Sequence, residues 1–291
     1  MRIAHRPEEL ERRERAVAIG TFDGVHLGHR RVLEAVIAAD LTPTAVTFDP
    51  HPRLALGYDV ELLTTLERRL ELLEAAGIEE SLVVEFDLEV ARLSPEAFVD
   101  AVLYPIGTEV IAAGSNFRFG QGRAGDLSVL ERLGFDVRTV PLAEGVSSSR
   151  IRELLRAGEI ERAAKLLGRA PEIEGTVVAG DARGGTLGFP TANLRPDAML
   201  LVPAFGIYAG AAQGHRAAIS IGTNPHYGGT ERRVEPYLLE FDGDLYGQRL
   251  VVELWERLRD EEAFDSEEAL VAQIAADVEA TRSARRPQRG R

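Results

Sequence analysis

The sequence predicts two domains of different class: an α/β domain on a parallel sheet covered by helices on both faces, then a small antiparallel β-barrel with a C-terminal helix. Three observations lead there. Apolar strand-like runs alternate with amphipathic helical stretches up to Gly168; beyond Pro171 short strands follow one another through glycine- and proline-rich turns; and 291 residues exceed what one ordinary core organises.

In the first part, Ala16–Ile19 reads as a buried strand. Gly20 and Gly24 punctuate a turn, and a helix runs from Arg30 with Val32, Leu33, Val36 and Ile37 on one stripe. Thr44–Phe48 is a second strand, stopped by Asp49-Pro50-His51-Pro52. Thr65–Ala76 is an amphipathic helix with Leu66, Leu70 and Leu73 inward, and Ser81–Phe86 is the third strand. Ser94-Pro95-Glu96 opens a helix with proline at its first position. Glu109–Ala113 is a fourth strand, leading into Gly114-Ser115-Asn116-Phe117-Arg118-Phe119-Gly120, and Phe135–Val140 is the fifth. Open α/β sheets bind ligands at the C-terminal ends of their strands, so residues 20–29, 49–52 and 114–126 are expected to meet at one crevice. Ser147, Ser148 and Ser149 then run into a helix stripe of Ile151, Leu154 and Leu155.

Gly168-Arg169-Ala170-Pro171 marks the boundary, giving domains 1–169 and 170–291. In the second domain Ile173–Ala179, Gly206–Ala212, Ala217–Ile221, Val234–Phe241 and Leu250–Trp255 read as strands of a closed or nearly closed barrel. One helix follows from the cap Ser266, with Leu270, Ile274 and Val278 on one face, and Ser283–Arg291 is a basic, unpatterned tail.

Composition narrows the chemistry. Without cysteine there is no disulfide, thiolate nucleophile or cysteine-ligated metal. A net charge of -13 argues against nucleic acid held through its phosphates. Lys165 is the only lysine, so no lysine-bearing P-loop exists, and any triphosphate must be met by backbone amides, arginine, histidine and a metal ion. No apolar run reaches the roughly 18 residues of a membrane span, and the Arg- and Glu-rich N-terminus lacks the apolar core of a secretory signal. A cytoplasmic protein with no membrane partner is expected.

Candidate site residues fall at loop positions that suit phosphate. A glycine turn from a strand into a helix start presents unpaired amides and the positive end of the helix dipole. His26 and His29 are three apart, on one side of the first turn, and Gly28 leaves room for a nucleotide against the backbone. The histidines read equally as a cap or a core partner. Ser147, Ser148 and Arg150 offer hydroxyls, amides and a fixed guanidinium fork to a leaving pyrophosphate, or form a plain N-cap followed by a solvated arginine. In the barrel, Gly188-Phe189-Pro190-Thr191-Ala192-Asn193 sets a hydroxyl and an amide oxygen two residues apart, hard ligands that suit Mg2+. Glu235 shares a period-two face with Tyr237, Leu239 and Phe241, expected to line the barrel interior, where desolvation favours a general base. The plainer alternative is a strand-edge glutamate paired with Arg232 or Arg233.

Gly-Thr-Phe-Asp-Gly-Val-His-Leu-Gly-His at 20–29 resembles the signature of the His-x-Gly-His nucleotidyltransferases, whose domain is Rossmann-like. It is followed in order by Thr-Phe-Asp-Pro-His-Pro, Asn-Phe-Arg-Phe-Gly, Ser-Ser-Ser-Arg-Ile-Arg, Leu-Gly-Phe-Pro-Thr-Ala-Asn, Gly-Thr-Asn-Pro, Val-Glu-Pro-Tyr-Leu-Leu-Glu-Phe and Asp-Leu-Tyr-Gly. Nearly the whole chain thereby resembles the bacterial bifunctional riboflavin kinase/FAD synthetases. The resemblance implies a barrel that phosphorylates riboflavin with ATP to FMN, and a first domain that transfers AMP from a second ATP to FMN, giving FAD and pyrophosphate. It places Thr191 and Asn193 at magnesium and ATP and Glu235 as the base for the ribityl hydroxyl. In the first domain it sets His26 and His29 on the phosphates, Gly20, Phe22, Asp23 and Gly24 along the nucleotide, Asn116 at phosphate, flavin or metal, and Asp49 and His51 at flavin or phosphate. Ser147, Ser148 and Arg150 go to pyrophosphate. Thr21 stands where the family often has asparagine and Ser149 where it often has threonine. Gly185, with only Arg183 nearby, stands at a place commonly basic, and His226-Tyr227 replaces the usual Thr-Phe.

Two rival readings stay open: a single-activity nucleotidyltransferase carrying a non-catalytic barrel, and an RNA-binding barrel on a synthetase-like fold. Residues 187–193 and Glu235 count against the first, net acidity against the second. Partners are expected to be riboflavin, FMN, FAD and ATP, with the chain a monomer or weak homo-oligomer.

Overall fold

The structure, a computed structural model, describes residues 1–180, 188–223 and 232–288. Arg183, Gly185, Leu187, Asn224, His226 and Tyr227 lie outside the described residues. The chain divides into two compact units, Met1–Val60 with Leu66–Val146, and Glu61–Thr65 with Ser147–Arg291.

The first unit holds β1 (Arg2–Ala4), β2 (Arg15–Ile19), β3 (Thr42–Asp49), β4 (Glu80–Glu85), β5 (Thr108–Gly114) and β6 (Asp136–Val140) in a parallel sheet of order β1-β4-β3-β2-β5-β6. The five strands expected from sequence are present, and β1 is an addition: three residues, mostly exposed, too short to carry a pattern. Wholly buried β2 feeds two cores. Ala16 and Ala18 face Val32, Leu33 and Val36 of α1 (Leu27–Ile37) and Leu70 and Leu73 of α3 (Leu66–Ala75), which lies beyond the one-turn α2 (Pro52–Ala55). Val17 and Ile19 face Phe98, Leu103 and Ile111 on the other side. Small side chains on the α1 face let that helix lie close to the strand. Leu33 and Leu73, fully buried there, each contribute about 1.5–3 kcal/mol of transfer free energy. From β2 the chain winds outward through β3 and β4, then returns to lay β5 against the other edge of β2. The winding direction reverses between β2 and β5, where doubly wound sheets open a crevice.

The second unit is a closed barrel of order β10-β11-β8-β7-β12-β9. Its strands are β7 (Glu172–Val178), β8 (Asn193–Pro196), β9 (Gly206–Ala212), β10 (His215–Thr223), β11 (Arg232–Leu238) and β12 (Arg249–Arg259). Of these β8 is an addition: four residues are too few to carry a strand pattern. Helix Glu267–Ser283 starts at the cap Ser266, whose hydroxyl accepts the Ala269 amide at 3.2 Å. Sequence texture puts the domain boundary at 169/170. Packing groups helices Ser148–Arg156 and Ile160–Leu167 with the barrel, because Ile151, Leu154, Ile160 and Leu167 join its core around Tyr208, Ile219 and Val252. Segment Glu61–Thr65 joins the same unit: the Leu62 amide donates to the Met199 carbonyl and the Leu201 amide to that of Leu62.

Candidate functional site

In the first unit the Gly20 amide donates to the Val46 carbonyl of β3 at 3.0 Å, so the chain leaves the sheet only at Thr21. Phe22 and Val25 take φ of 49° and 37° and the Val25 amide closes back on the Phe22 carbonyl at 2.9 Å, coiling Thr21–Val25 tightly before α1. Asp23 and His26 are buried in that coil. His26 is the N-cap of α1, its Nδ1 accepting from the His29 amide at 3.2 Å. A neutral imidazole accepting at Nδ1 carries its proton on Nε2. The two rings stack at 3.6 Å between centroids and 14° between planes, and the Phe22 ring meets His29 edge-on at 5.4 Å. A Cβ on Gly28 would come within 3.2 Å of the His26 ring, so this glycine makes room for the imidazole itself, besides the room expected for a ligand. A fixed imidazole pair at a helix start suits phosphate oxygens.

At the end of β3, His51 caps α2, its Nδ1 accepting from the Arg53 amide at 3.1 Å, while Asp49 is exposed. After β5 the Phe117 amide closes a turn onto the Gly114 carbonyl at 2.9 Å, with Asn116 exposed at its tip. The loops after β2 and β5 flank the reversal point. The sequence reading misses Arg69 of α3, which is buried under the loop ends; its Nη1 donates to the Thr21 and Phe48 carbonyls and the Thr47 hydroxyl. Leu66, Arg69, Leu70 and Leu73 follow i, i+3, i+4, i+7 spacing, and that is the signal that would have found it.

Ser147, Ser148 and Arg150 belong to the second unit. Ser147 is the N-cap of helix Ser148–Arg156, accepting the Arg150 amide at 3.2 Å. The Arg150 guanidinium lies 2.8 Å from Glu153. Both side chains are exposed, and such a pair is worth about 0–1 kcal/mol, too little to withhold the guanidinium from an anion.

In the barrel one expectation is corrected. The buried face of β11 is Val234, Pro236 and Leu238, and Glu235 and Tyr237 lie half-buried on the opposite face. Leu239 and Phe241 fall beyond the strand, where Glu240 turns the chain with φ 57°, so the period-two pattern does not extend to them. Glu235 is therefore outside the apolar interior. The antiparallel register that pairs Val234 with Leu194, and the bond from the Ala192 amide to the Pro236 carbonyl at 3.0 Å, set Asn193 opposite Glu235, with Thr191 two residues back. Directly opposed residues share a face. On the other flank Ser220 of β10 is opposite Glu235, and Phe189 packs edge-on against Tyr237 at 5.5 Å. Arg233 stands 3.8 Å from Glu235, a loose version of the alternative pairing. A Cβ on Gly180 would fall 2.0 Å from Asn193 Nδ2, so only glycine admits this carboxamide. Gly188, with φ 85°, turns the chain into this segment and Pro190 is exposed. The sequence reading also misses Glu261, whose carboxylate lies where a Cβ of Gly222 would be. Burial raises its pKa, with Arg259 opposing and Glu235 adding to the rise. Among the described residues no group of three or more His, Asp or Glu side chains gathers as a metal cage.

Comparison with known proteins agrees with this two-part layout. A FAD synthetase family model matches residues 8–151 and a riboflavin kinase family model matches residues 167–285. The bifunctional riboflavin kinase/FMN adenylyltransferase of Listeria monocytogenes is 35% identical over 288 residues, 92% of each chain. That of Bacillus subtilis is 34% identical over 94% of each, and that of Escherichia coli 35% over 90% of each. A solved structure from Streptococcus pneumoniae, described as a macrolide-efflux protein, superposes with a TM-score of 0.86 at 31% identity, covering 96% of this chain and 98% of that one. Among the described residues no helix is long and apolar enough to cross a membrane.

Proposed function

We infer how the work is divided in this chain, which belongs to the bifunctional riboflavin kinase/FMN adenylyltransferase family. It is an enzyme that phosphorylates riboflavin with ATP, releasing ADP and FMN, and transfers AMP from a second ATP to FMN, releasing pyrophosphate and FAD. The alternative of a non-catalytic barrel is not favoured, since the riboflavin kinase model matches the barrel itself.

We place adenylyl transfer in residues 1–169 and phosphoryl transfer in 170–291. Glu235 takes the proton of the ribityl hydroxyl as it attacks the γ-phosphorus. Asn193 and Thr191 hold the ATP phosphates together with Mg2+. Their oxygens and that of Glu235 are hard donors, borne on β11, on the start of β8 and on the segment leading into it, and the space that Gly180 leaves for Asn193 supports such a role. When bound, the ion neutralises phosphate charge. In the first unit His26 and His29 stabilise charge on the α-phosphate during in-line attack by FMN, with Gly20, Phe22, Asp23 and Gly24 along the nucleotide. Asn116, Asp49 and His51 are assigned to phosphate and flavin. Phosphoryl chemistry asks mainly for positioning and charge neutralisation, which these groups supply without a covalent intermediate. The placement is cytoplasmic, with small-molecule partners, no nucleic acid, and a monomer or weak homo-oligomer.

The observation that carries this is the cross-strand placement of Glu235 opposite Asn193. Incubation with riboflavin, ATP and Mg2+, followed by separation of flavins, is expected to give FMN and then FAD; FAD from supplied FMN alone would mean an inactive barrel. Gly180→Ala tests the Asn193 assignment, because the added methyl displaces the carboxamide. A misplacement of that size costs on the order of 10²-fold in FMN formation. FAD formation from supplied FMN should stay at the parental rate, and unchanged FMN formation would sink the assignment.

A further inference from the structure

Arg69 is 1% exposed on a helix otherwise packed by leucines. One of its nitrogens, Nη1, donates to the Thr21 carbonyl at 3.0 Å, the Thr47 hydroxyl at 3.0 Å and the Phe48 carbonyl at 2.9 Å. Thr21 opens the loop that leads to His26, and Phe48 immediately precedes Asp49. The Nε atom has no hydrogen-bond partner among the described residues. Burial lowers the pKa of the guanidinium, and the charges of Asp23 and Asp49 act against that. Taking a cation out of water costs several kcal/mol, so a neutral donor would tie the same oxygens at less expense. What a neutral donor does not do is offset two carboxylates beside a site built for polyphosphate.

With the first unit read as the adenylyl site, we propose that Arg69 is a positioning residue for adenylyl transfer. It clamps the ends of β2 and β3, so that the Thr21–His26 loop and the Asp49–His51 segment keep one separation, and its charge balances Asp23 and Asp49. All three bonds leave a single nitrogen, and a lysine ammonium keeps the charge and three donors, though it ends one bond nearer the backbone. Methionine fills the same volume with neither donor nor charge.

The test uses the full chain, as parent, Arg69→Met and Arg69→Lys, with both activities measured on each preparation. Loss of a charged donor bonded to three acceptors should lower kcat of FAD formation in Arg69→Met at least about tenfold, with FMN formation within about twofold of parent. Arg69→Lys is expected to restore FAD formation to within about threefold. Parental FAD formation in Arg69→Met overturns the proposal, and so does an equal fall of both activities, which a merely structural role produces. Should Arg69→Met not fold, Arg69→Gln decides: a fall in FAD formation with FMN formation at the parental rate supports the clamp, and parental rates of both, or an equal fall of both, overturn it. A parent making FMN but no FAD removes the site reading and this assignment together. An active parent with an indifferent Arg69→Met removes this assignment alone.

Discussion

Glu235→Gln is expected to stop FMN formation while FAD formation from supplied FMN continues. Glutamine keeps the shape and the position opposite Asn193 but cannot accept the ribityl proton. Loss of a general base costs about 10²–10⁴-fold. The competing account makes Glu235 a strand-face carboxylate for Arg233, and the magnitudes separate the two. At 3.8 Å, with each side chain about one-third exposed, that ion pair is worth about 0–1 kcal/mol and touches stability alone. Rates of both reactions measured on one preparation settle it, since a variant that makes FMN at the parental rate leaves the ion-pair account standing.

The mirror result is expected of His29→Ala: FAD formation falls by about 10²-fold or more, as on removing a preorganised donor from developing charge, and FMN formation is unaffected. This substitution is cleaner than one at His26. The capping bond runs from the backbone amide of His29 to Nδ1 of His26, so alanine at 29 leaves it in place. Alanine at 26 deletes the cap, which costs about 0.5–2 kcal/mol and mixes a folding defect into the kinetics. A His29→Ala enzyme that still makes FAD at the parental rate would remove the stacked pair from the chemistry.

How much of this was legible in the sequence depends on length and on periodicity. Long wholly buried strands such as β2 and the striped helix α3 are visible because burial on both faces, or on one stripe, leaves a pattern of adequate length. The three residues of β1 and the four of β8 carry none, and only pairing with β4 and with β7 and β11 defines them. Residue type and neighbours single out Glu235, but they do not give its face: the period-two reading runs past Leu238 into a turn, and the buried face of the strand is that of Val234, Pro236 and Leu238. Arg69 illustrates the opposite failure: a charge on a buried stripe looks like noise until its three acceptors, one in the loop after β2 and two on β3, are seen together.

The register joining β8 to β11 has a consequence for how such a chain can vary. Glu235 and Asn193 face the same way only because Val234 pairs with Leu194. A single-residue insertion or deletion inside either short strand turns every side chain downstream of it to the other face. Length changes should therefore be tolerated in the connections flanking these strands and be lethal to flavin phosphorylation within them, whatever amino acid is added.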